Sequence, residues 1–121
     1  MPKLSGFLLL VTVSRPISWP LVALLFLIGF VISGAPISVA VVVNVFAVSL
    51  LLPLIVFGIN DIYDYETDSV NKRKKFAFHG GVLEKGNHGL VSVSALAATI
   101  ILALISALTR NPSNILVTAL A

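Results

Sequence analysis

Long apolar stretches alternate with short polar connections along this chain of 121 residues. Three of the stretches, residues 16–33, 36–58 and 90–108, are long enough to cross a membrane. A helix needs about 20 residues to span a hydrocarbon core of about 30 Å. Pro16 suits the start of the first helix, because a first-turn N–H has no helical partner. The pattern therefore predicts an all-α protein with three transmembrane spans.

The segments around these spans complete the predicted topology. Only Gly34 and Ala35 separate the first two spans, which favours an antiparallel helix hairpin. Residues 1–14 lack the small-residue cleavage site of a signal peptide, and we expect them to lie along the membrane interface. Another apolar run begins at Ile115, and the sequence stops at Ala121 before that run could cross a membrane. We interpret it as the start of a truncated fourth helix.

The composition agrees with an integral membrane protein. Hydrophobic residues make up 58% of the chain, charged residues only 11%, and the mean hydropathy is +1.07. No cysteine is present, which excludes disulfides, a thiol nucleophile and cysteine-based zinc sites. The net charge of +3 arises largely from four consecutive basic residues at 72–75. We interpret this cluster as a topology signal and expect no nucleic-acid partner.

The distribution of basic residues predicts the orientation in the membrane. With three crossings, Lys3, Arg15, Lys85 and the basic residues 72–75 fall on one side, and Arg110 falls on the other. Because cytoplasmic loops carry the excess of lysine and arginine, we expect a cytoplasmic N-terminus. The loop at about 59–89 is then cytoplasmic as well. That loop carries every acidic residue of the chain, so we expect the chemistry at this face.

One polar residue interrupts the second span near its middle. Asn44 would be costly in lipid unless its amide finds a partner or faces a cavity. An interhelical hydrogen bond is the favoured interpretation.

The polar residues that follow the second span are spaced as metal ligands could be. If that helix continues past Gly58, Asp61, Asp64 and Asp68 fall within an arc of roughly 60° at about 100° per residue. Carboxylates crowded on one face favour a hard cation such as Mg²⁺, with Asn60 adding a neutral oxygen. The expected ligands are therefore Asn60, Asp61, Asp64 and Asp68, whereas Glu66 points away and is expected to be solvated. The alternative to a metal site is that the helix end emerges from the membrane here and simply carries acidic residues.

The order Asn60-Asp61-x-x-Asp64-x-x-x-Asp68 resembles the NDxxDxxxD signature of the UbiA superfamily of intramembrane prenyltransferases. Its position at the cytoplasmic end of the second helix is also similar to that family. The resemblance implies the N-terminal part of a UbiA-type helical bundle. It implies Mg²⁺-dependent transfer of an isoprenyl chain from a prenyl diphosphate to a lipophilic acceptor. By the same resemblance, Asp64 and Asp68 would be the catalytic residues, and the acidic motif would hold Mg²⁺ and the diphosphate leaving group.

Basic and aromatic side chains around the motif have two interpretations each. Arg15, Lys72 and Arg73 are candidate contacts for the diphosphate, or else bind lipid head groups and set the topology. Tyr63 and Tyr65 could line the mouth of a substrate cavity, although interfacial tyrosines are common. A developing carbocation would be shielded from water by dry apolar helices.

Two departures from the family pattern limit what this chain could do alone. Where quinone- and haem-type members read Asn-Lys-Pro-x-Arg-Pro, this chain reads Asn71-Lys72-Arg73-Lys74-Lys75-Phe76, which looks closer to the carotenoid-elongating, lycopene elongase branch. The family also has a second Asp-rich motif on later helices, and no aspartate follows Asp68 here. We therefore expect the chain to need the missing C-terminal helices and to be inactive alone. The alternative is a small, non-catalytic integral membrane protein.

Overall fold

The computed structural model describes residues 5–70 and 83–109, except for the side chains of Asp68 and Ser69. Over these residues the regular structure is entirely helical, which confirms the predicted all-α class. The helices are α1 (Gly6–Val13), α2 (Trp19–Ser33), α3 (Val39–Tyr63), α4 (Tyr65–Val70) and α5 (His88–Leu108), with 3₁₀ turns at Pro16–Ser18 and Lys85–Asn87. The predicted fourth apolar run from Ile115 lies outside the described residues.

Three helical segments are long and apolar enough to cross a membrane, as predicted. They are Pro16–Ser33, Val39–Tyr63 and Lys85–Leu108. The second span begins later than the predicted Pro36 and ends later than the predicted Gly58. With 25 residues at about 1.5 Å each, α3 extends about 37 Å and exceeds a hydrocarbon core of about 30 Å. Its polar C-terminal end can therefore lie beyond the apolar part of the membrane.

Local signals at the helix ends explain where the spans begin and end. Gly34 ends α2 with a φ of 67°, a left-handed conformation that glycine adopts without steric cost. The hydroxyl of Ser38 accepts a hydrogen bond from the N–H of Val41 and caps α3. Pro53 lies inside α3 without ending it, as membrane helices tolerate.

The bundle core lies mainly between α3 and α5. Val48 and Ile55 of α3 pack there against Ala98 and Leu102 of α5. Helix α2 adds partly buried side chains to this core but has no fully buried residue. Large apolar side chains cover the outward faces of all three spans. Such surfaces suit lipid or further helices, and not water.

A second apolar cluster closes the end of the bundle where α3 leaves the membrane. Val13 from α1, Leu83 and Val91 form this cluster, and Ile62 of α3 packs against it. Helix α1 therefore packs on the ends of α3 and α5. The interfacial position expected for residues 1–14 stays a prediction.

Asn44 is 2% exposed, and its amide nitrogen donates to the hydroxyl of Thr109 at 2.9 Å and to the carbonyl of Ala40 at 2.7 Å. The predicted interhelical hydrogen bond is confirmed.

Candidate functional site

The helix that carries the acidic motif is interrupted inside the motif. Helix α3 ends at Tyr63, and α4 begins at Tyr65. Asp64, between them, has a ψ of 7° and donates its backbone N–H to the carbonyl of Asn60 at 2.8 Å. The expectation that one uninterrupted helix carries Asp61, Asp64 and Asp68 is therefore wrong. The segment from 59 to 70, expected as the start of a loop, is helical on both sides of this break.

Asn60 and Asp64 form an exposed polar pair at the end of α3. They lie one helical turn apart, where side chains at i and i+4 are neighbours. The amide nitrogen of Asn60 donates to Oδ2 of Asp64 at 2.8 Å. An amide oxygen and a carboxylate are thereby held next to each other at the polar end of a membrane-spanning helix.

Asp61 has a different environment from its two neighbours in the motif. Its side chain is only 1% exposed, and its Oδ1 accepts a hydrogen bond from Nη2 of Arg15 at 2.9 Å. The two residues form an ion pair between α3 and the segment that joins α1 to α2. A buried carboxylate of this kind needs a hydrogen-bonded cation, because isolated burial of a charge is costly.

Arg15, whose side chain reaches Asp61, has an unusual backbone conformation. Arg15 has a φ of 51° and a ψ of 79°, the one left-handed conformation of a non-glycine residue among the described residues. It separates the end of α1 from the 3₁₀ turn that starts α2. The guanidinium carbon lies 4.3 Å from the ring centroid of Phe57, one turn before Asp61. Arg15 thus contacts a carboxylate and an aromatic face of the same helix.

Gly58 allows three helices to meet just before the motif. A Cβ atom at this position would lie 2.9 Å from Cγ1 of Val91 and 3.6 Å from Cγ1 of Val13. The first distance is shorter than real Cβ contacts allow. The close approach of α1 and α5 to α3 therefore depends on the absence of a side chain here.

Several predicted site residues are not brought together by the described part of the chain. Lys72 and Arg73 lie outside the described residues, as does the side chain of Asp68. Glu66 is exposed, as expected. Among the side chains that the structure describes, which exclude that of Asp68, no three carboxylate or imidazole groups lie close enough together to share a metal ion. The roles assigned to these residues from the sequence stay predictions.

The two tyrosines of the motif differ in their surroundings. Tyr63 is 84% exposed. The ring of Tyr65 makes an edge-on contact with His88, with centroids 5.3 Å apart, and Nζ of Lys85 lies 5.3 Å from the same ring. Nε2 of His88 is 3.0 Å from the carbonyl oxygen of Leu83, so it carries the proton in this contact. These contacts tie α4 to the start of α5.

An apolar groove of about 360 Å³ lies between α3 and α5 at the motif end of α3. Two hydroxyl side chains from α5 interrupt its apolar lining. Its walls are formed by Ile59, Ile62, Tyr63, Ser92, Ala95, Leu96 and Thr99.

The chemistry of the exposed pair fits a hard divalent cation. Asn60 and Asp64 supply oxygen ligands, the type that Mg²⁺ prefers. Mg²⁺ usually keeps several waters and takes further ligands from a phosphate-bearing substrate, so one or two protein carboxylates are enough for binding. Asp61 fits this role less well, because its Oδ1 already accepts a charged hydrogen bond from Arg15.

Sequence reasoning did not pair Arg15 with Asp61, although one signal pointed to that contact. The two residues lie at the same end of two adjacent antiparallel spans, where opposite charges could meet. The Phe57 contact and the tight packing at Gly58 depend on tertiary structure and had no local signal.

Comparisons with known proteins find relatives in carotenoid biosynthesis. The chain is 31% identical over 87 residues to the "C(50) beta-cyclic carotenoids biosynthesis protein LbtBC" of Dietzia sp. (strain CQ4). It is 34% identical over 89 residues to a "Lycopene elongase/hydratase" of Corynebacterium glutamicum. Each match covers 72% of this chain but only 20% and 30% of the respective relative. No family model and no solved structure matches the chain.

Proposed function

We propose that this chain is the N-terminal helical part of a UbiA-type membrane enzyme that transfers an isoprenyl group from a prenyl diphosphate to a lipophilic acceptor. The observation that carries the proposal is the exposed Asn60–Asp64 pair, which lies at the polar end of a membrane-spanning helix with Arg15 held nearby. The relatives named for carotenoid biosynthesis support an isoprenoid acceptor over an aromatic quinone precursor.

In this proposal the motif holds the leaving group through a metal ion. Asn60, Asp64 and Asp68 would bind Mg²⁺. Asp61 would lie beside these ligands, with its Oδ1 bonded to Arg15. The ion would neutralise the charge that develops on the diphosphate as its bond to the isoprenyl carbon breaks. Because the described residues offer only two exposed ligands at α3, the remaining ligands would come from Asp68, the diphosphate and further helices.

The basic residues would bind and orient the diphosphate. Arg15 presents a guanidinium, which forms strong paired hydrogen bonds with phosphate oxygens. Lys72 and Arg73, which follow the motif in the sequence, would add contacts from the loop. The apolar groove between α3 and α5 would exclude water from the isoprenyl chain.

The site would lie at the cytoplasmic face and would need more protein than this chain supplies. Lys85 and Arg15 lie at the same end of the spans as the motif, which supports a cytoplasmic location. The chain spans less than a third of the length of the relatives it matches. We therefore propose that further helices of the same enzyme complete the cavity and that the chain alone has no turnover.

Reconstitution with the missing part of a relative tests the proposal. The chain would be co-expressed with the Corynebacterium glutamicum lycopene elongase/hydratase from which the matching segment has been removed. The pair would be placed in nanodiscs with Mg²⁺, lycopene and a series of prenyl diphosphates, and products would be identified by mass spectrometry. We expect product from the pair and none from either part alone. An assembled pair without product would favour the non-catalytic membrane protein instead.

A further inference from the structure

We infer that Asp61 is a positioning residue that holds Arg15 in place for an anionic ligand, and that it is not a metal ligand. The inference rests on the proposed function for the identity of that ligand, a diphosphate. It divides the four-residue motif into two parts with different tasks. Asn60 and Asp64 would take the cation, and Asp61 would act through Arg15.

The burial of the three side chains supports this division. Asn60 and Asp64 are exposed and can reach an ion at the surface of α3. Asp61 is 1% exposed, and its Oδ1 is occupied by Nη2 of Arg15 at 2.9 Å. A metal ion at Asp61 would have to enter a site that is almost closed to solvent and compete with the partly buried guanidinium of Arg15 for the same carboxylate, which is costly.

Arg15 retains capacity for a further ligand. A guanidinium has five N–H donors, and the described residues accept from only one of its nitrogen atoms, Nη2. Its Nε is buried without a hydrogen-bond partner among those residues. The side chain is 20% exposed and so can be reached from outside the bundle. These donors can bind the oxygens of a phosphate group.

Two contacts hold the side chain of Arg15 in place. Its left-handed backbone costs on the order of 1 kcal/mol for a residue with a side chain. Asp61 and the ring of Phe57 hold the guanidinium from two directions. A side chain fixed in this way is preorganised to bind a ligand.

Helix geometry places Arg15 beside the exposed pair. Asp61 and Asp64 are separated by about 60° around the helix axis, and Phe57 and Asp64 by about 20°. The guanidinium contacts both Asp61 and Phe57, so it lies on the side of α3 from which Asp64 also projects by this geometry. A diphosphate on a cation held by Asn60 and Asp64 would be within reach of Arg15.

Nitrogen-15 NMR of the arginine side chains tests the inference on the chain alone. The chain has three arginines, and Arg15→Lys assigns the Arg15 Nε–Hε signal. Inorganic diphosphate would be titrated with Mg²⁺ into the chain in maltoside micelles. We expect the Arg15 signal to shift on addition of diphosphate. Asp61→Asn should weaken the apparent affinity for diphosphate about tenfold, since the guanidinium loses its charge-assisted hydrogen bond to Asp61. Asp61→Glu, which keeps the negative charge, should retain part of the diphosphate affinity that Asp61→Asn loses.

Manganese binding in the same samples separates positioning from metal ligation. Asp61→Asn should leave Mn²⁺ affinity within about twofold, whereas Asp64→Asn should lower it about tenfold. Far-ultraviolet circular dichroism checks that each variant is folded. If Asp61→Asn is not, the double variant Asp61→Asn/Arg15→Gln, which leaves no unpaired charge at this site, carries the Mn²⁺ comparison. A loss of Mn²⁺ affinity in the Asp61 variant equal to that of Asp64→Asn would overturn the inference, as would an Arg15 signal that diphosphate leaves unmoved.

A lipid phosphate could bind the same guanidinium, and a second titration distinguishes the two sources. Phosphatidylglycerol would be added to the micelles first, and diphosphate would then be titrated into the same sample. We expect diphosphate to shift the Arg15 signal in the presence of this lipid, and a signal that responds only to the lipid would contradict the inference. The reconstituted pair could form product while Asp61→Asn leaves diphosphate binding by the chain unchanged. That combination would overturn the inference and leave the proposed function standing.

Discussion

Arg15 and Asp61 are 46 positions apart in the sequence, and their side chains form an ion pair of 2.9 Å at the motif end of the bundle. The pair joins the segment between α1 and α2 to the last turn of α3. Asp61 is almost completely buried, and this guanidinium supplies an opposite charge and a hydrogen bond to its carboxylate.

Asp61→Asn should therefore lower the free energy of unfolding substantially. Breaking a buried pair costs about 3–5 kcal/mol, and we expect about 3 kcal/mol because Arg15 is partly exposed. Reversible unfolding in mixed micelles, followed by circular dichroism, measures this change. Asp64→Asn is the matched control: the same chemical change at an exposed site should cost less than about 1 kcal/mol. Equal losses in the two variants would contradict the structural role of the pair.

Gly58→Ala should destabilise the motif end of the bundle. The new Cβ would lie 2.9 Å from Cγ1 of Val91, and overpacking of this kind costs about 1–3 kcal/mol. Gly29→Ala is the control, because a Cβ there meets nothing within 4 Å. The same unfolding measurement should show Gly29→Ala unchanged or slightly stabilised. Val91→Ala should relieve the cost in the Gly58→Ala background, and additive losses would argue against this contact.

Thr109→Val should remove the hydrogen bond that joins α3 to the end of α5. The hydroxyl of Thr109 accepts from Asn44 at 2.9 Å, and such bonds in membrane proteins contribute about 1 kcal/mol. Thr99→Val is the control, since its hydroxyl donates to Ala95 of its own helix. In an Asn44→Leu background the Thr109 substitution should lose its effect. A full cost in that background would show that the interhelical bond is not responsible.

Single cysteines test the proposed orientation, because the chain has none of its own. Ala35 and Glu84 lie in connections at opposite ends of the spans, and both are exposed. A membrane-impermeant maleimide added outside intact cells should label Ala35→Cys and not Glu84→Cys. The reverse pattern would place the acidic motif on the non-cytoplasmic side.

The spans and the exposed pair could be predicted because both depend on local sequence. Apolar runs of sufficient length predict membrane helices directly, and Asn60 and Asp64 are neighbours on any helix by their spacing alone. The break at Asp64 had no local signal, since neither glycine nor proline lies between residues 59 and 79. Asp61 was assigned to the same cation as its neighbours because its spacing fitted. Its burial against Arg15 depends on how α1, α2 and α3 pack, which spacing does not reveal.

The central claim is that Asp64 belongs to a magnesium and diphosphate site, and turnover in the reconstituted pair tests it most directly. Product formation would be measured against Mg²⁺ concentration for the unmodified chain, for Asp64→Ala and for Glu66→Ala, with Mn²⁺ binding by paramagnetic resonance as a second readout. We predict that Asp64→Ala lowers turnover at least about a hundredfold and weakens Mn²⁺ binding, whereas Glu66→Ala stays within about twofold. Turnover and metal binding retained in Asp64→Ala would contradict the claim.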